Sequence, residues 1–90
     1  MREEFKGKTA LITGGSRGLG EALCRRFAAA GCRVIVNYAH GKEAAQAVAE
    51  AVGGEAIQCD ISSEEAVQKM FDRVGPVDIL VNNARVDPYK

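Results

Sequence analysis

The sequence lacks tryptophan, has only two prolines and carries no excess of charge of either sign. Its 12 lysines and arginines balance 12 aspartates and glutamates, so no basic field is available to attract a phosphate backbone, and nucleic-acid binding is disfavoured. Apolar runs such as residues 79–81 are far shorter than the roughly 20 residues that a membrane-spanning helix needs. The first residues mix charges and contain no apolar core of a secretory signal. These absences predict a cytoplasmic protein without a membrane partner.

The sequence has three cysteines, and their spacing matches no disulfide or metal-binding motif. Cys24, Cys32 and Cys59 are an odd number and form neither a Cys-x-x-Cys motif nor a cluster with histidine. A disulfide framework and a metal site are therefore both disfavoured, and we expect the three side chains to be small buried hydrophobic groups. The 90 residues are enough for one small domain and leave no room for a second.

The first half of the chain alternates strand and helix signals. Residues 8–13 predict a buried strand that ends at a glycine turn, and apolar residues spaced three and four apart predict a helix that begins at Gly18 and has Gly31 as its C-cap. The β-branched residues of 33–38 predict a second strand. The amphipathic pattern of residues 42–52 predicts a second helix that ends at the next pair of glycines.

The second half repeats the alternation. Residues 55–59 are predicted as a third strand and residues 78–82 as a fourth, with an amphipathic helix between them. A capping box is expected at the start of that helix, in which Ser62 accepts from the backbone N–H three residues on and Glu65 reaches back. Nothing regular is predicted after Ala84.

The order of these elements, βαβαβαβ, predicts an α/β fold with parallel strands joined by right-handed crossovers. The expected strand order is 3-2-1-4, the first half of a doubly wound, Rossmann-like fold. Residues 1–84 are expected to form this half-domain, and residues 85–90 a divergent tail. Strand four would then be an open edge, and one sheet face would be covered by a single helix, which favours pairing with a second copy or with a longer relative.

The glycine turn carries the clearest functional signal. Residues 13–20 read Thr-Gly-Gly-Ser-Arg-Gly-Leu-Gly and lie between a predicted strand and a predicted helix. Glycines in this position allow positive φ angles, a close approach of a pyrophosphate and tight packing of helix on strand, while the helix N-terminus attracts the anion. The position and spacing together favour a dinucleotide site over a purely structural turn.

With this turn, the chain resembles the short-chain dehydrogenase/reductase family, whose cofactor turn is Thr-Gly-x-x-x-Gly-x-Gly. Asp60 and Ile61 follow strand three, where the family contacts the adenine ring, and residues 82–84, Asn-Asn-Ala, end strand four, where the family reads Asn-Asn-Ala-Gly beside the cofactor ribose. Within the family the chain looks most like 3-oxoacyl-acyl-carrier-protein reductases. The resemblance implies a nicotinamide dinucleotide held by Gly14, Ser16, Arg17, Gly18, Leu19, Gly20, Tyr38, Asp60, Ile61, Asn83 and Ala84.

Simpler roles stay open for several of these residues. Asp60 could serve only to turn the chain into the next helix, and the two asparagines at 82 and 83 could bond the sheet. Arg17 could be a solvated surface charge, His40 an ordinary loop residue and Lys42 a solvated residue at the start of a helix. Against this, no carboxylate stands at the end of strand two to bind the ribose hydroxyls of NAD, so the positive groups favour the 2′-phosphate of NADP(H).

The groups that reduce a carbonyl in the family are a Ser, a Tyr and a Lys one helical turn after the Tyr, and none is recognised in register in this sequence. Tyr89 and Lys90 are adjacent and would point about 100° apart on a helix. Arg85 stands where the family has a glycine. We therefore expect the cofactor-binding portion of an NADP-dependent oxidoreductase acting on a ketone such as a 3-oxoacyl thioester, inactive alone. The alternative is an inactive nucleotide-binding or dimerising module that pairs with a full-length relative.

Overall fold

A computed structural model describes residues 5–83 of the chain. Within this range, strands and helices alternate as the sequence predicts. In chain order the elements are β1 (Thr9–Ile12), α1 (Gly18–Ala29), β2 (Arg33–Tyr38), α2 (Lys42–Val52), β3 (Glu55–Gln58), α3 (Glu64–Val74) and β4 (Ile79–Val81).

The four strands form one parallel sheet in the order β3-β2-β1-β4, as predicted. Leu11 of β1 lies beside Ile35 of β2 on one side and Leu80 of β4 on the other. Because all four strands run in the same direction, their carboxyl ends lie at one end of the sheet. The loops that leave these ends are where a ligand of this type of fold binds.

The two faces of the sheet are covered unequally. Val34 and Val36 of β2 point towards α1 and α2, whereas Ile35, between them, points towards α3. This alternation follows from the two-residue period of a strand, and burial on both faces explains why β2 reads as a continuous apolar run. α3 is the one described helix on its face, and Leu80 on the neighbouring edge strand is 49% exposed. The expectation of one thinly covered face is therefore confirmed.

The cysteines are buried, as expected. Cys24, on the buried face of α1, and Cys32 pack in the core cluster that α1 and α2 cover, Cys59 packs under α3, and all three are free thiols. Burial raises the pKa of the Cys24 thiol to about 11, with the negative charge of Glu21 adding to the effect. Among residues 5–83 no group of cysteine, histidine or carboxylate side chains is placed to hold a metal ion. No helix in the same range has the length and apolar character to cross a membrane.

Several predicted boundaries are wrong by one or two residues. β1, β3 and β4 are each shorter than predicted, by one or both end residues. The C-cap of α1 is Ala30 rather than Gly31, which follows the cap with a φ of 96° and donates its N–H to the Ala28 carbonyl at 2.9 Å. The glycine still ends the helix because it adopts the left-handed conformation that other residues avoid.

The predicted capping box is also wrong. The N-cap of α3 is Ser63, whose Oγ accepts a hydrogen bond from the Ala66 backbone N–H at 3.2 Å. Ser62 instead donates to the carboxylate of Asp60. Glu65, which was expected to reach back, lies within 3.6 Å of Lys69 one turn along the helix. Both adjacent serines are good capping residues in isolation, so the choice between them depends on where the preceding loop places each one.

Candidate nucleotide site at the carboxyl ends of the strands

The loops that leave the carboxyl ends of the strands enclose a cleft of about 270 Å³. The cleft lies beyond the carboxyl ends of β1, β2 and β3, at the edge of the sheet where open α/β folds bind ligands. Its walls come from the glycine turn, the end of β2 and the loop after β3. The lining residues are Gly14, Ser16, Arg17, Asn37, Tyr38, Ala39, His40, Cys59 and Ile61.

The glycine turn is held in a conformation that other residues would not adopt. Gly14 has a φ of 64° and Gly18 a φ of 59°. Gly20 is required for a different reason, since a Cβ at this position would overlap the carbonyl oxygen of Gly14 and lie 2.7 Å from Nδ2 of Asn83. The glycines at 14 and 18 therefore shape the turn, and the glycine at 20 lets α1 pack directly against it.

The end of β4 is bonded to this turn. Asn83 donates its backbone N–H to the Thr13 hydroxyl at 2.9 Å and its side-chain Nδ2 to the Gly14 carbonyl at 3.0 Å. The Thr13 hydroxyl in turn donates to the Val81 carbonyl at 3.3 Å. The strand-end role considered for Asn83 is therefore present, and a direct contact with the cofactor stays a prediction. Ala84, the last predicted site residue, lies outside the described residues.

Two of the three positive groups predicted near the cleft line it. Arg17 is the extended residue just before α1, with φ −160°, and its Nη2 lies 3.5 Å from the position that a Cβ on Gly41 would occupy. Its guanidinium therefore reaches across to the loop after β2, and His40 of that loop lines the same cleft. Lys42 is exposed at the start of α2 and is not among the lining residues.

The predicted adenine residues lie on the opposite wall. Ile61 is half-buried and lines the cleft, whereas Asp60 is exposed beside it. The Asp60 carboxylate accepts from the Ser62 hydroxyl at 2.7 Å and from the Ser62 N–H at 3.0 Å. These two bonds, with a smaller contribution from the charge of His40, hold the pKa of the Asp60 carboxyl below its ordinary value. The turn-forming role considered for Asp60 is thus present.

The remaining predicted residues occupy the rim. Ser16 is half-buried in the turn and lines the cleft, and Leu19 is 68% exposed in the first turn of α1. Tyr38 is buried at the end of β2 and also lines the cleft. Leu19 is one of two large hydrophobic side chains that are exposed within residues 5–83, the other being Leu80.

Asn37, which was not predicted as a site residue, connects the cleft to the core. It is 1% exposed, and its Nδ2 lies 3.4 Å from the Ile57 carbonyl and 3.3 Å from the Cys59 carbonyl. Its own carbonyl accepts the Gly15 N–H at 3.1 Å. The side chain of Asn37 therefore links β2 to β3 and the loop that follows it, and the backbone carbonyl of Asn37 links β2 to the glycine turn. A polar residue inside a β-branched strand was the available signal, because buried amides are retained when they have partners.

The sequence contains one Tyr-x-x-x-Lys spacing, at Tyr38 and Lys42. The tyrosine ends β2 and the lysine begins α2, so a turn separates them and they do not share one face of a helix. This pair therefore does not have the arrangement that the family uses for proton donation.

A parallel sheet of this strand order, with a glycine turn between its first strand and first helix, defines the Rossmann-like α/β class. A family model described as "short chain dehydrogenase" matches residues 8–89. The chain therefore belongs to the short-chain dehydrogenase family, whose members are oxidoreductases that bind a nicotinamide cofactor.

Individual relatives agree with this assignment. The chain is 44% identical over 96 residues to 3beta-hydroxysteroid dehydrogenase 1 of Eggerthella lenta, an alignment covering 97% of this chain and 37% of the relative. It is 46% identical to acetoacetyl-CoA reductase of Rhizobium meliloti, with 88% of this chain and 34% of the relative covered. The crystal structure of BdcA in complex with NADPH superposes with a TM-score of 0.83 at 44% identity and covers 91% of this chain and 34% of that one. The chain thus spans about a third of the length of these proteins.

Proposed function

We propose that residues 1–84 form the NADP(H)-binding half of a short-chain oxidoreductase that transfers hydride to a ketone such as a 3-oxoacyl thioester. The observation that carries the cofactor preference is the lining of the cleft. Arg17 and His40 line it together, and no aspartate or glutamate is among its lining residues. Because a carboxylate at the end of β2 would bind the ribose hydroxyls of NAD and repel a phosphate, this lining favours NADP(H).

Different residues of the cleft would contact different parts of the dinucleotide. In this proposal the glycine turn, with Ser16 and Leu19, holds the pyrophosphate at the start of α1, where backbone N–H groups and the helix dipole favour an anion. Arg17 binds the 2′-phosphate, because a guanidinium offers several donors in a geometry that suits phosphate oxygens. Tyr38 borders the adenosine ribose, and Asp60 with Ile61 meets the adenine.

The carbonyl-reducing groups lie outside residues 1–90 in this proposal. The bound cofactor would supply the hydride, and a positioned acid from elsewhere in the protein would supply the proton. The 3-oxoacyl substrate rests on the resemblance to 3-oxoacyl-acyl-carrier-protein reductases and on the similarity to an acetoacetyl-CoA reductase. Residues 85–90 then form a divergent tail.

Competitive binding of NADPH and NADH to the intact protein tests the cofactor assignment. We expect NADPH to bind at least tenfold more tightly. Arg17→Gln is expected to remove most of this preference, since a charge-assisted contact to phosphate is lost, with roughly a tenfold loss in NADPH affinity and little change for NADH. Arg26→Gln, an equal change of charge at an exposed position near the end of the same helix, is the control. Equal binding of the two cofactors by the unaltered protein contradicts the proposal.

A second candidate function is an inactive module that binds another copy or a longer relative. The observation that favours it is the exposed edge of the sheet, where β4 pairs with β1 alone among the described strands and Leu80 is half exposed. The intact mass of the native protein separates the candidates. A mass near 9.6 kDa with self-association supports the module. A mass more than twice that value supports the cofactor-binding half of a reductase.

A further inference from the structure

Asn37 lies near the end of β2, between two walls of the cleft. On one side its backbone carbonyl accepts the N–H of Gly15, in the glycine turn, at 3.1 Å. On the other side its Nδ2 donates to the carbonyls of Ile57 and Cys59, at 3.4 Å and 3.3 Å. Asn37 also lines the cleft, although it is 1% exposed. The residue is therefore bonded both to the glycine turn and to the segment that leads into the loop after β3.

The bond to the Cys59 carbonyl reaches beyond the end of the sheet. β3 ends at Gln58, and Cys59 is the next residue. The N–H of Cys59 donates to the Tyr38 carbonyl at 2.9 Å, and its carbonyl accepts from Asn37. Both backbone polar groups of Cys59 are thus held where the loop begins. Ile61, two residues further on, lines the cleft.

The glycine turn rests against the same strand. A Cβ on Gly15 would lie 2.9 Å from Sγ of Cys24 and 3.1 Å from Cγ1 of Val36, the residue before Asn37. The turn therefore has little space to move towards β2, and the bond to the Asn37 carbonyl keeps it from moving away. The positions of the turn and of the loop after β3 are both referred to one residue of β2.

The side chain of Asn37 is the part of this arrangement that depends on residue type. Any residue at position 37 would offer a backbone carbonyl to the turn. The bonds to Ile57 and Cys59 need two donors on one atom, which a side-chain amide supplies. Asparagine is a poor strand former, and the residues before it, 34–36, are apolar and β-branched. An apolar residue would therefore suit the sheet better, and what asparagine adds is its hold on the segment after β3.

We propose that Asn37 is a positioning residue that fixes the loop after β3 relative to the glycine turn, so that the cleft is shaped for the adenosine half of the dinucleotide before it binds. This inference rests on the proposed function, because it needs a dinucleotide in the cleft. A loop that is already fixed loses no further conformational freedom on binding. The adenosine half is common to NADPH and NADH, so Asn37 strengthens the binding of both, whereas Arg17 acts on the 2′-phosphate alone.

The test measures binding of NADPH, NADH and adenosine 2′,5′-bisphosphate to the intact protein by calorimetric titration, with circular dichroism to establish that each variant is folded. Asn37→Leu keeps a branched side chain and lacks a donor. We expect it to bind all three ligands roughly tenfold more weakly, with the ratio of NADPH to NADH affinity unchanged. Asn37→Thr keeps one donor and a β-branched side chain, so its loss should be about threefold. This second variant carries the test if Asn37→Leu does not fold.

Ile35→Ala is the matched control. Ile35 is fully buried on the same face of β2, two residues before Asn37, and packs in the cluster under α3. Its loss should lower the free energy of unfolding at least as much as Asn37→Leu, because it leaves a cavity in the core. The three affinities should nevertheless stay within about twofold of the unaltered protein, since Ile35 has no side-chain bond to either wall of the cleft.

Three outcomes would overturn the inference: unchanged binding in folded Asn37→Leu or Asn37→Thr, a loss confined to NADPH, or an equal loss in Ile35→Ala. A loss confined to NADPH would place the effect of Asn37 at the 2′-phosphate instead. Failure of the unaltered protein to bind any of the three ligands overturns the proposed function and this inference together. Tight binding that is insensitive to Asn37 overturns the inference alone.

Discussion

The strands β1 and β4 are joined by side chains at both ends, and the two ends serve different purposes. At the amino end, Asp78 accepts the Thr9 N–H through Oδ2 at 2.8 Å, and its own N–H donates to the Thr9 carbonyl at 2.9 Å. At the carboxyl end, Asn83 bonds the Thr13 hydroxyl and the Gly14 carbonyl. The first pair lengthens the sheet, whereas the second reaches beyond it and holds the glycine turn.

The charged side chains at the two ends of the sheet also differ. Near the amino end, Glu55 bridges Arg33 and Arg73 at 3.4 Å and 2.8 Å, which ties β2, β3 and the last turn of α3 together. Near the carboxyl end, Arg17 and His40 line an open cleft and are not paired with a carboxylate in the described ion pairs. The ion pairs of Glu55 therefore lie at the amino end of the sheet, whereas the guanidinium of Arg17 lines the cleft at the carboxyl end.

The largest loss of stability is expected for Gly20→Ala, at the carboxyl end of the sheet. The new Cβ would overlap the Gly14 carbonyl oxygen, which is backbone and cannot move aside cheaply. We expect the free energy of unfolding to fall by more than about 3 kcal/mol, measured by urea denaturation. Gly18→Ala is the control, because a Cβ there meets nothing within 4 Å and only the positive φ is strained, at a cost of about 1–2 kcal/mol. Equal losses in the two variants would show that the close approach of helix and turn is unimportant.

The next largest effect is expected for Asp78→Ala at the amino end. The buried Thr9 N–H would lose a charged acceptor, so stability should fall by about 2 kcal/mol. Affinity for NADPH should change less than twofold, because the lost bond is at the end of the sheet away from the cleft. Asp72→Ala removes a similar charge from an exposed pair with Gln68 and serves as the control. A marked loss of NADPH affinity in Asp78→Ala would contradict the division of roles between the two ends.

A smaller loss of stability, about 1 kcal/mol, is expected for Asn83→Ala, which removes a neutral hydrogen bond to the Gly14 carbonyl. Here the affinity for NADPH should fall several-fold, because the glycine turn loses one of its supports. Calorimetric titration with NADPH checks this, and Asn82→Ala at the exposed neighbouring position is the comparison. If Asn83→Ala binds NADPH as tightly as the unaltered protein, the bond contributes to the sheet alone.

The smallest effect is expected for Glu55→Gln, which breaks both ion pairs at the amino end. The three side chains are 38–64% exposed, so water already screens the charges and the loss should stay below about 1 kcal/mol. The difference should shrink further in 1 M salt, which a pair of denaturation curves would measure. Glu65→Gln, in a still more exposed pair with Lys69, should change stability less. A large, salt-independent loss would mean that this network acts as a buried one.

The sequence by itself determined the elements, their order and the place of the glycine turn. These features depend on local chemistry: the two-residue and 3.6-residue periods of apolar side chains, the positive φ that Gly14 and Gly18 adopt, and the preference of parallel strands for right-handed crossovers. Each can be recognised in a short window of residues. The strand order 3-2-1-4 was predicted because strand two follows a glycine-rich turn and a helix, as in the first half of a doubly wound fold, and it is the order observed.

Only the tertiary structure decided which polar groups meet. The Asn83 side chain and the Gly14 carbonyl are 69 residues apart in the chain, and Asn37 bonds carbonyls 20 and 22 residues away. The choice of Ser63 over Ser62 as the cap of α3 depended on a bond to Asp60 that capping propensities do not include. A hydrogen bond is specific to a few tenths of an ångström and requires both partners in place. Such contacts arise from packing, and a local pattern encodes only which side chains are available to make them.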